Sequence, residues 1–249
     1  EVSEIKCVRK ALLFTRDIMK LISIEANISA GKTTLLELLA ASGGEYFIET
    51  EPIETWQNFY GHNVLKSFYE NPESNALIFQ SLVELTFTKA SLKFPQDKPV
   101  ISERFFETSV KVFMELAYQN RYIKSTEKFL LEEWYDVLKT KFRIEPTHFI
   151  YLRVPAEVCF QRMKKRERQE ENEVVLEYLQ KIEALTDDWL LKKKNVSVID
   201  GNRPQEEIKS EKNIQLKNSI PPPLNIPSLS LYMPQSIARI PSKEQVKKQ

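Results

Sequence analysis

Between residues 20 and 204 the chain alternates short apolar runs with long amphipathic stretches. The runs LISIE (21–25), YFIE (46–49), PVISE (99–103), THFIYLR (147–153) and VSVID (196–200) are rich in Ile, Val, Phe and Tyr, and each is followed by a helical pattern or a loop. Short, near-continuous apolar runs of this kind predict strands of a parallel sheet covered on both faces. Apolar residues at helical spacing predict helices over roughly 32–41, 54–69, 73–93, 107–118, 125–141, 155–168 and 173–193. The alternation reads as βαβ units: an α/β, three-layer fold in which a five-stranded parallel sheet is flanked by helices. In such a fold, ligands bind at the carboxyl ends of the strands.

The two ends of the chain break this pattern. Residues 205–249 show no sustained period, hold six of the 13 prolines, and carry seven basic against four acidic residues. They read as a disordered Pro/Ser/Lys-containing tail behind a domain spanning 20–204. Residues 1–19 form an N-terminal extension whose mixture of acids and bases does not suit an organelle presequence, which leaves the compartment open between cytoplasm and mitochondrion.

Composition removes several function classes. Only 2 His and 2 Cys are present in 249 residues, too few for a His-rich metal site, a zinc cluster or a disulfide framework. His62 and His148 are expected in packing or surface roles, and Cys7 and Cys159 suit a reducing compartment. The formal net charge is +1 and the tail supplies +3 of it, leaving −2 for residues 1–204. That balance argues against a nucleic-acid partner, and no apolar run approaches a membrane span, so neither is expected as a partner.

The strongest chemical signal follows the first run: Ala26-Asn27-Ile28-Ser29-Ala30-Gly31-Lys32-Thr33-Thr34. A strand, a tight loop of small residues and Gly-Lys-Thr opening a helix form the setting of a phosphate-binding loop, with Lys32 reaching β- and γ-phosphates and Thr33 serving Mg2+. The strict pattern has Gly where Ala26 stands, so a strained, left-handed backbone is expected there. A second signal, Glu51-Pro52 after the second run, places a carboxylate in the cleft, where it can accept the proton of an attacking hydroxyl. The third is Glu103-Arg104 at the end of the third run. The fourth is the charged run 164–171, a solvated helix face by default, which also fits a lid delivering Arg166 and Arg168 to a transferring phosphoryl group.

Taken in order, ANISAGKTT, EPIETW, FYENPESNALIFQS, SERFFETS, LEEWYD, FIYLR, KKRERQEE and LEYLQKIEALTDDWL resemble the animal deoxyribonucleoside kinases, most closely the mitochondrial thymidine kinase and insect broad-specificity branch. The resemblance covers about residues 20–204 and implies a P-loop kinase fold using ATP and Mg2+ on a small-molecule deoxynucleoside, in nucleotide salvage for DNA synthesis. It implies a homodimer as well. By the same resemblance Glu51 is the base for the 5′-hydroxyl and Arg104 holds that hydroxyl and the base in place. Glu103 and Thr33 serve the metal, while Lys32, Arg166 and Arg168 neutralise phosphates. Tyr69 and Glu171 match the pair that reads the 3′-hydroxyl, Gln80 the amide that reads the base edge, and Phe113 the ring stacked on it. Trp56 closes the pocket, and Val83, Phe87 and Ser109 surround the base. Their lack of charge and the bulk of Phe87 imply pyrimidines, thymidine ahead. Ala26, Phe105 and Val110 depart from the family's Gly, Ser and Arg. These departures keep a catalytically weakened or non-catalytic nucleotide-binding scaffold as the alternative. A nucleoside monophosphate kinase is a second rival, disfavoured because Glu51 as a base suits a neutral hydroxyl acceptor.

Overall fold

The computed structural model describes residues 21–41, 43–142 and 145–202; the expected extension (1–19) and tail (205–249) lie outside the described residues. All five predicted strands form: β1 (Leu21–Glu25), β2 (Phe47–Glu49), β3 (Val100–Glu103), β4 (His148–Arg153) and β5 (Val196–Asp200). They make one parallel sheet in the order β2-β3-β1-β4-β5. The central strand β1 and its neighbour β3 are buried along their whole length and are apolar except for Ser23 and the terminal Glu25 in β1 and the terminal Ser102-Glu103 of β3.

Period-2 alternation divides β1 between two cores. Ile22 and Ile24 pack on one face with α1 (Lys32–Ala41), α8 (Ala156–Arg166) and α9 (Leu176–Leu190). Leu21 belongs to the opposite core, built from α2 (Ile53–Gln57), α3 (Val64–Glu70), α4 (Pro72–Ser91) and α7 (Ser125–Phe142). Ser23 and Glu25 share the side of Leu21 by the same alternation, so two polar groups are buried on that face.

The helices depart from expectation in two places. The single helix expected over 54–69 is broken into α2 and α3 by a two-residue turn: Phe59 and His62 pair as an antiparallel bridge, with Tyr60 (φ 52) and Gly61 (φ 89) left-handed between them. Gly61 supplies the conformation such a turn requires. Asn63 then caps α3, its Oδ1 accepting the Lys66 amide at 2.9 Å. The stretch expected over 107–118 is α5 (Phe106–Thr108), a π-helical segment (Ser109–Met114) and α6 (Glu115–Gln119) in succession. Such widened turns concentrate at functional sites, and this one carries Ser109 and Phe113.

Among the described residues no helix is long and apolar enough to cross a membrane. Cys159 is a free, buried thiol, whereas His62 is exposed and His148 is half-buried against the Ser197 hydroxyl at 2.8 Å.

Candidate active site

A cavity of about 840 Å3 opens at the carboxyl ends of β1, β2 and β3. One side is the phosphate loop. Gly31 (φ 103) and Ser29 (φ 59) take the left-handed turns, and Lys32 opens α1 immediately after, so the amides of the first turn face the cavity. Ala26 is not left-handed, which corrects the expectation of strain there. It is buried in the core beside β1, and its carbonyl accepts Arg104 Nη2 at 3.0 Å. Asn27 is turned away from the cavity: its Nδ2 donates to the Leu179 carbonyl at 2.9 Å and its Oδ1 accepts the Ile28 amide at 2.8 Å, pinning the loop to α9. Ala30 is buried, and its carbonyl is held by Arg162 Nη1 at 3.2 Å. Ile28, Ser29, Gly31, Lys32, Thr33 and Thr34 line the cavity.

The floor is a buried charge cluster. Arg104, itself left-handed (φ 57), donates from Nη1 to Glu51 Oε1 at 2.5 Å and lies 5.0 Å over the Phe113 ring. Lys32 Nζ donates to the Asn27 carbonyl at 3.2 Å and stands 3.9 Å from Glu103 Oε1. Thr33 Oγ1 donates to both oxygens of Glu103, at 3.0 and 3.2 Å. The two acids respond in opposite directions. Burial pushes Glu51 up, but the directly bonded Arg104 guanidinium and nearby Lys32 outweigh it and hold the carboxyl below the usual range. Burial and the Glu51 charge together push Glu103 up, because its cation is farther away. Lys32 is lowered by burial and by the Arg104 charge.

Thr33 and Glu103 offer hard oxygen donors next to the loop. Among the described residues no cluster of three or more His, Cys, Asp or Glu is placed to hold a metal ion. As oxygen donors the two fit Mg2+, which keeps several waters and binds through one or two protein oxygens together with substrate phosphates.

The opposite side is a flat slot. Gln80, Val83 and Phe87 project from α4, Ser109 and Phe113 from the π-helical turn, and Trp56 from α2. Gln80 is buried, and Ser109 Oγ donates to its Oε1 at 3.1 Å. Trp56 Nε1 donates to Thr86 at 3.0 Å, and its ring stands edge-on to Phe79. Tyr69 and Glu171 both line the cavity. The charged run does leave the helix: α8 ends at Arg166, Glu167 (φ 55) reverses the chain, and a 3-10 turn (Gln169–Glu171) follows. Arg166 Nη2 donates to both Glu171 oxygens at 2.7 Å, and Arg168 Nη1 to one of them at 3.1 Å.

Every residue expected in the site except Ala26, Asn27 and Ala30 lines the cavity, and those three shape the loop from behind. Thr108, Arg162 and Tyr178 line it too and escaped the sequence reading, as did Glu25 beneath it. Arg162 lies one helical turn before Arg166 on α8, a spacing that marks it in hindsight.

The comparisons agree with this geometry. The model of the deoxynucleoside kinase family matches residues 22–220. The chain is 34% identical over 172 residues to "Thymidine kinase 2, mitochondrial" of Homo sapiens, covering 69% of this chain and 64% of that protein. It is 30% identical to "Deoxyguanosine kinase, mitochondrial" of Xenopus laevis, with 70% and 74% covered, and 32% identical to "Deoxycytidine kinase" of Mus musculus, with 70% and 76% covered. The matched part thus spans just under two thirds of the length of the thymidine kinase relatives. With a phosphate loop, a buried Glu–Arg pair and an aromatic slot around one cavity, and with a family match over most of its length, the chain belongs to the deoxynucleoside kinase family.

Proposed function

We propose that this protein transfers the γ-phosphoryl group of ATP to the 5′-hydroxyl of a deoxyribonucleoside, in the salvage of DNA precursors. The observation that carries this reading is the position of Glu51, a carboxylate kept ionised by Arg104 between the phosphate loop and a slot walled by rings and one amide. Phosphoryl transfer asks little covalent chemistry of a protein, so positioning and charge do most of the catalysis. Glu51 takes the hydroxyl proton, and Arg104 keeps the carboxylate charged and aimed. Lys32, Arg166 and Arg168 neutralise the phosphates, and Tyr69 with Glu171 fixes the sugar. Mg2+, held by Thr33 and Glu103, supplies charge neutralisation at the phosphate oxygens when bound.

In the slot, Gln80 meets the edge of the base, Phe113 its face and Trp56 the far wall. Both ends of the Gln80 amide can pair with thymine or cytosine. Phe87, packed against Phe105 and Phe106, narrows the side on which a purine's second ring extends. The order is thymidine, then deoxycytidine, then purines. Purified protein with ATP-Mg and the four deoxynucleosides, scored for monophosphate product, tests this. No product from any of them favours the scaffold reading.

The protein acts as a homodimer in this proposal. Ile78 and Leu85 on α4 and Leu92 just past its end recur at seven-residue spacing, and Phe129, Leu130, Trp134 and Val137 stand exposed on the adjoining α7. Large apolar side chains left exposed on two packed helices suit burial against a second copy. Light scattering should give twice the chain mass, and Trp134→Glu should reduce it to one.

A further inference from the structure

Glu25 is a buried carboxylate that the chemistry above does not use. It ends the central strand β1, is fully inaccessible, and has no cation within ion-pair distance among the described residues. Its two oxygens are divided between two hydroxyls: Oε1 accepts Ser23 Oγ at 2.6 Å, and Oε2 accepts Thr108 Oγ1 at 2.5 Å. Ser23 is two residues back on the same strand and fixes the carboxylate in place. Thr108 is 83 residues away in sequence, ends α5, and immediately precedes the π-helical turn that carries Ser109 and Phe113.

The two ends of this contact belong to different halves of the cavity. Beyond Glu25 the chain enters the phosphate loop at Ala26, whose carbonyl holds Arg104. Beyond Thr108 lie the ring over which Arg104 packs and the hydroxyl bonded to Gln80. A π-helical turn spaces its residues differently from the α-helix around it, so an anchor on the residue just before it decides where the next side chains point. Both ties are buried, and the low local dielectric strengthens a hydrogen bond there.

We infer that Glu25 is a positioning residue, which acts through Thr108 to hold the base-reading turn against the phosphate loop. This rests on reading the slot as the nucleoside site. Thr108→Val keeps the shape and removes the hydroxyl. It should raise the KM for thymidine about tenfold and leave the KM for ATP within twofold, whereas Thr108→Ser should stay within twofold of wild type on both. Glu25→Gln should raise the thymidine KM similarly, and the Glu25→Gln/Thr108→Val double variant should raise it no further than either alone. If Glu25→Gln does not fold, Ser23→Ala, which loosens the same carboxylate, should raise the thymidine KM several-fold.

A lowered melting temperature with unchanged KM values would reduce Glu25 to a satisfied core acid and overturn the inference. So would failure of Thr108→Ser to restore the wild-type KM, or an additive double variant, which would mark Thr108 as a direct contact to the nucleoside. Calorimetric titration of thymidine separates the two readings: wild type that binds none sinks the nucleoside site itself. Wild type that binds, with Thr108→Val binding equally well, sinks only the role of Glu25.

Discussion

Glu51 and Glu84 are two acids largely shielded from water, and their surroundings differ completely. Glu51, on the cavity floor, has the Arg104 guanidinium bonded to it and Lys32 close by, and its carboxyl stays below the usual range although burial pushes the other way. Glu84, on α4 beside Val83, is comparably buried but has no cation among the described residues, and burial alone pushes it up to about 8. Burial by itself therefore says little about whether an acid is ionised. The neighbouring cation decides, and only the floor of the cleft provides one.

The largest effect is expected from removing the charge that the floor maintains. Glu51→Gln keeps shape and hydrogen bonding but cannot take a proton, and should lower kcat by ~10²–10⁴ with thymidine affinity largely kept. Steady-state kinetics with ATP-Mg measures this directly, and a variant within a few-fold of wild type would remove Glu51 from the mechanism. Arg104→Met should shift the acid limb of the kcat/KM profile upward in pH, because burial then acts on Glu51 with less opposition.

Glu84 should make stability depend on pH. Its folded pKa lies above the ordinary carboxylate value, so the stability it contributes is fully present below the unfolded pKa and is lost as pH rises through about 8. Wild type should lose on the order of 2 kcal/mol between pH 6 and pH 9 from this group. In Glu84→Gln that loss should disappear. Urea unfolding of both proteins at the two pH values tests it, and parallel losses would show that Glu84 has found a partner.

What could be read from sequence divides along the same line. The five strands and the loop from Ala26 to Thr34 were legible because their signals are local: apolar runs bounded by turns, and a fixed spacing of Gly, Lys and Thr. The residues that line the slot came through the family resemblance, since Tyr69 and Phe113 at helical spacing look like core. Glu25 was missed because its partner Thr108 is 83 residues away and meets it only in the fold. The break between α2 and α3 had a visible sign, Gly61 inside a helical pattern, that the periodicity of the flanking residues outweighed. The charge states of Glu51 and Glu84 could not be read, since nothing in sequence separates an acid next to Arg104 from one next to Val83.

A smaller effect is expected at the Phe87 wall of the slot. Phe87 is buried against Phe105 and Phe106, so no rotation of its ring widens the slot cheaply. Phe87→Ala should improve deoxyguanosine relative to thymidine in kcat/KM by about tenfold, the scale of a few methylenes of pocket shape. An unchanged ratio would mean that purines are refused elsewhere in the slot.

The smallest effect is expected at Ala26, where motif and structure disagree. The motif has Gly there, which leads to the expectation that Ala26→Gly relieves strain and improves the use of ATP. The left-handed positions of the loop are Ser29 and Gly31 instead, and the Ala26 methyl packs in the core that joins β1 to α1 and α9. Replacing it with Gly removes buried apolar surface and adds freedom to the unfolded chain, and relieves nothing in return. Ala26→Gly should therefore cost about 1 kcal/mol of stability and leave the KM for ATP within twofold. The carbonyl that holds Arg104 belongs to the backbone and survives the substitution, which is why kcat should hardly move. A gain in ATP use would show that the loop does carry strain at Ala26, and that the family's Gly is required there for conformation.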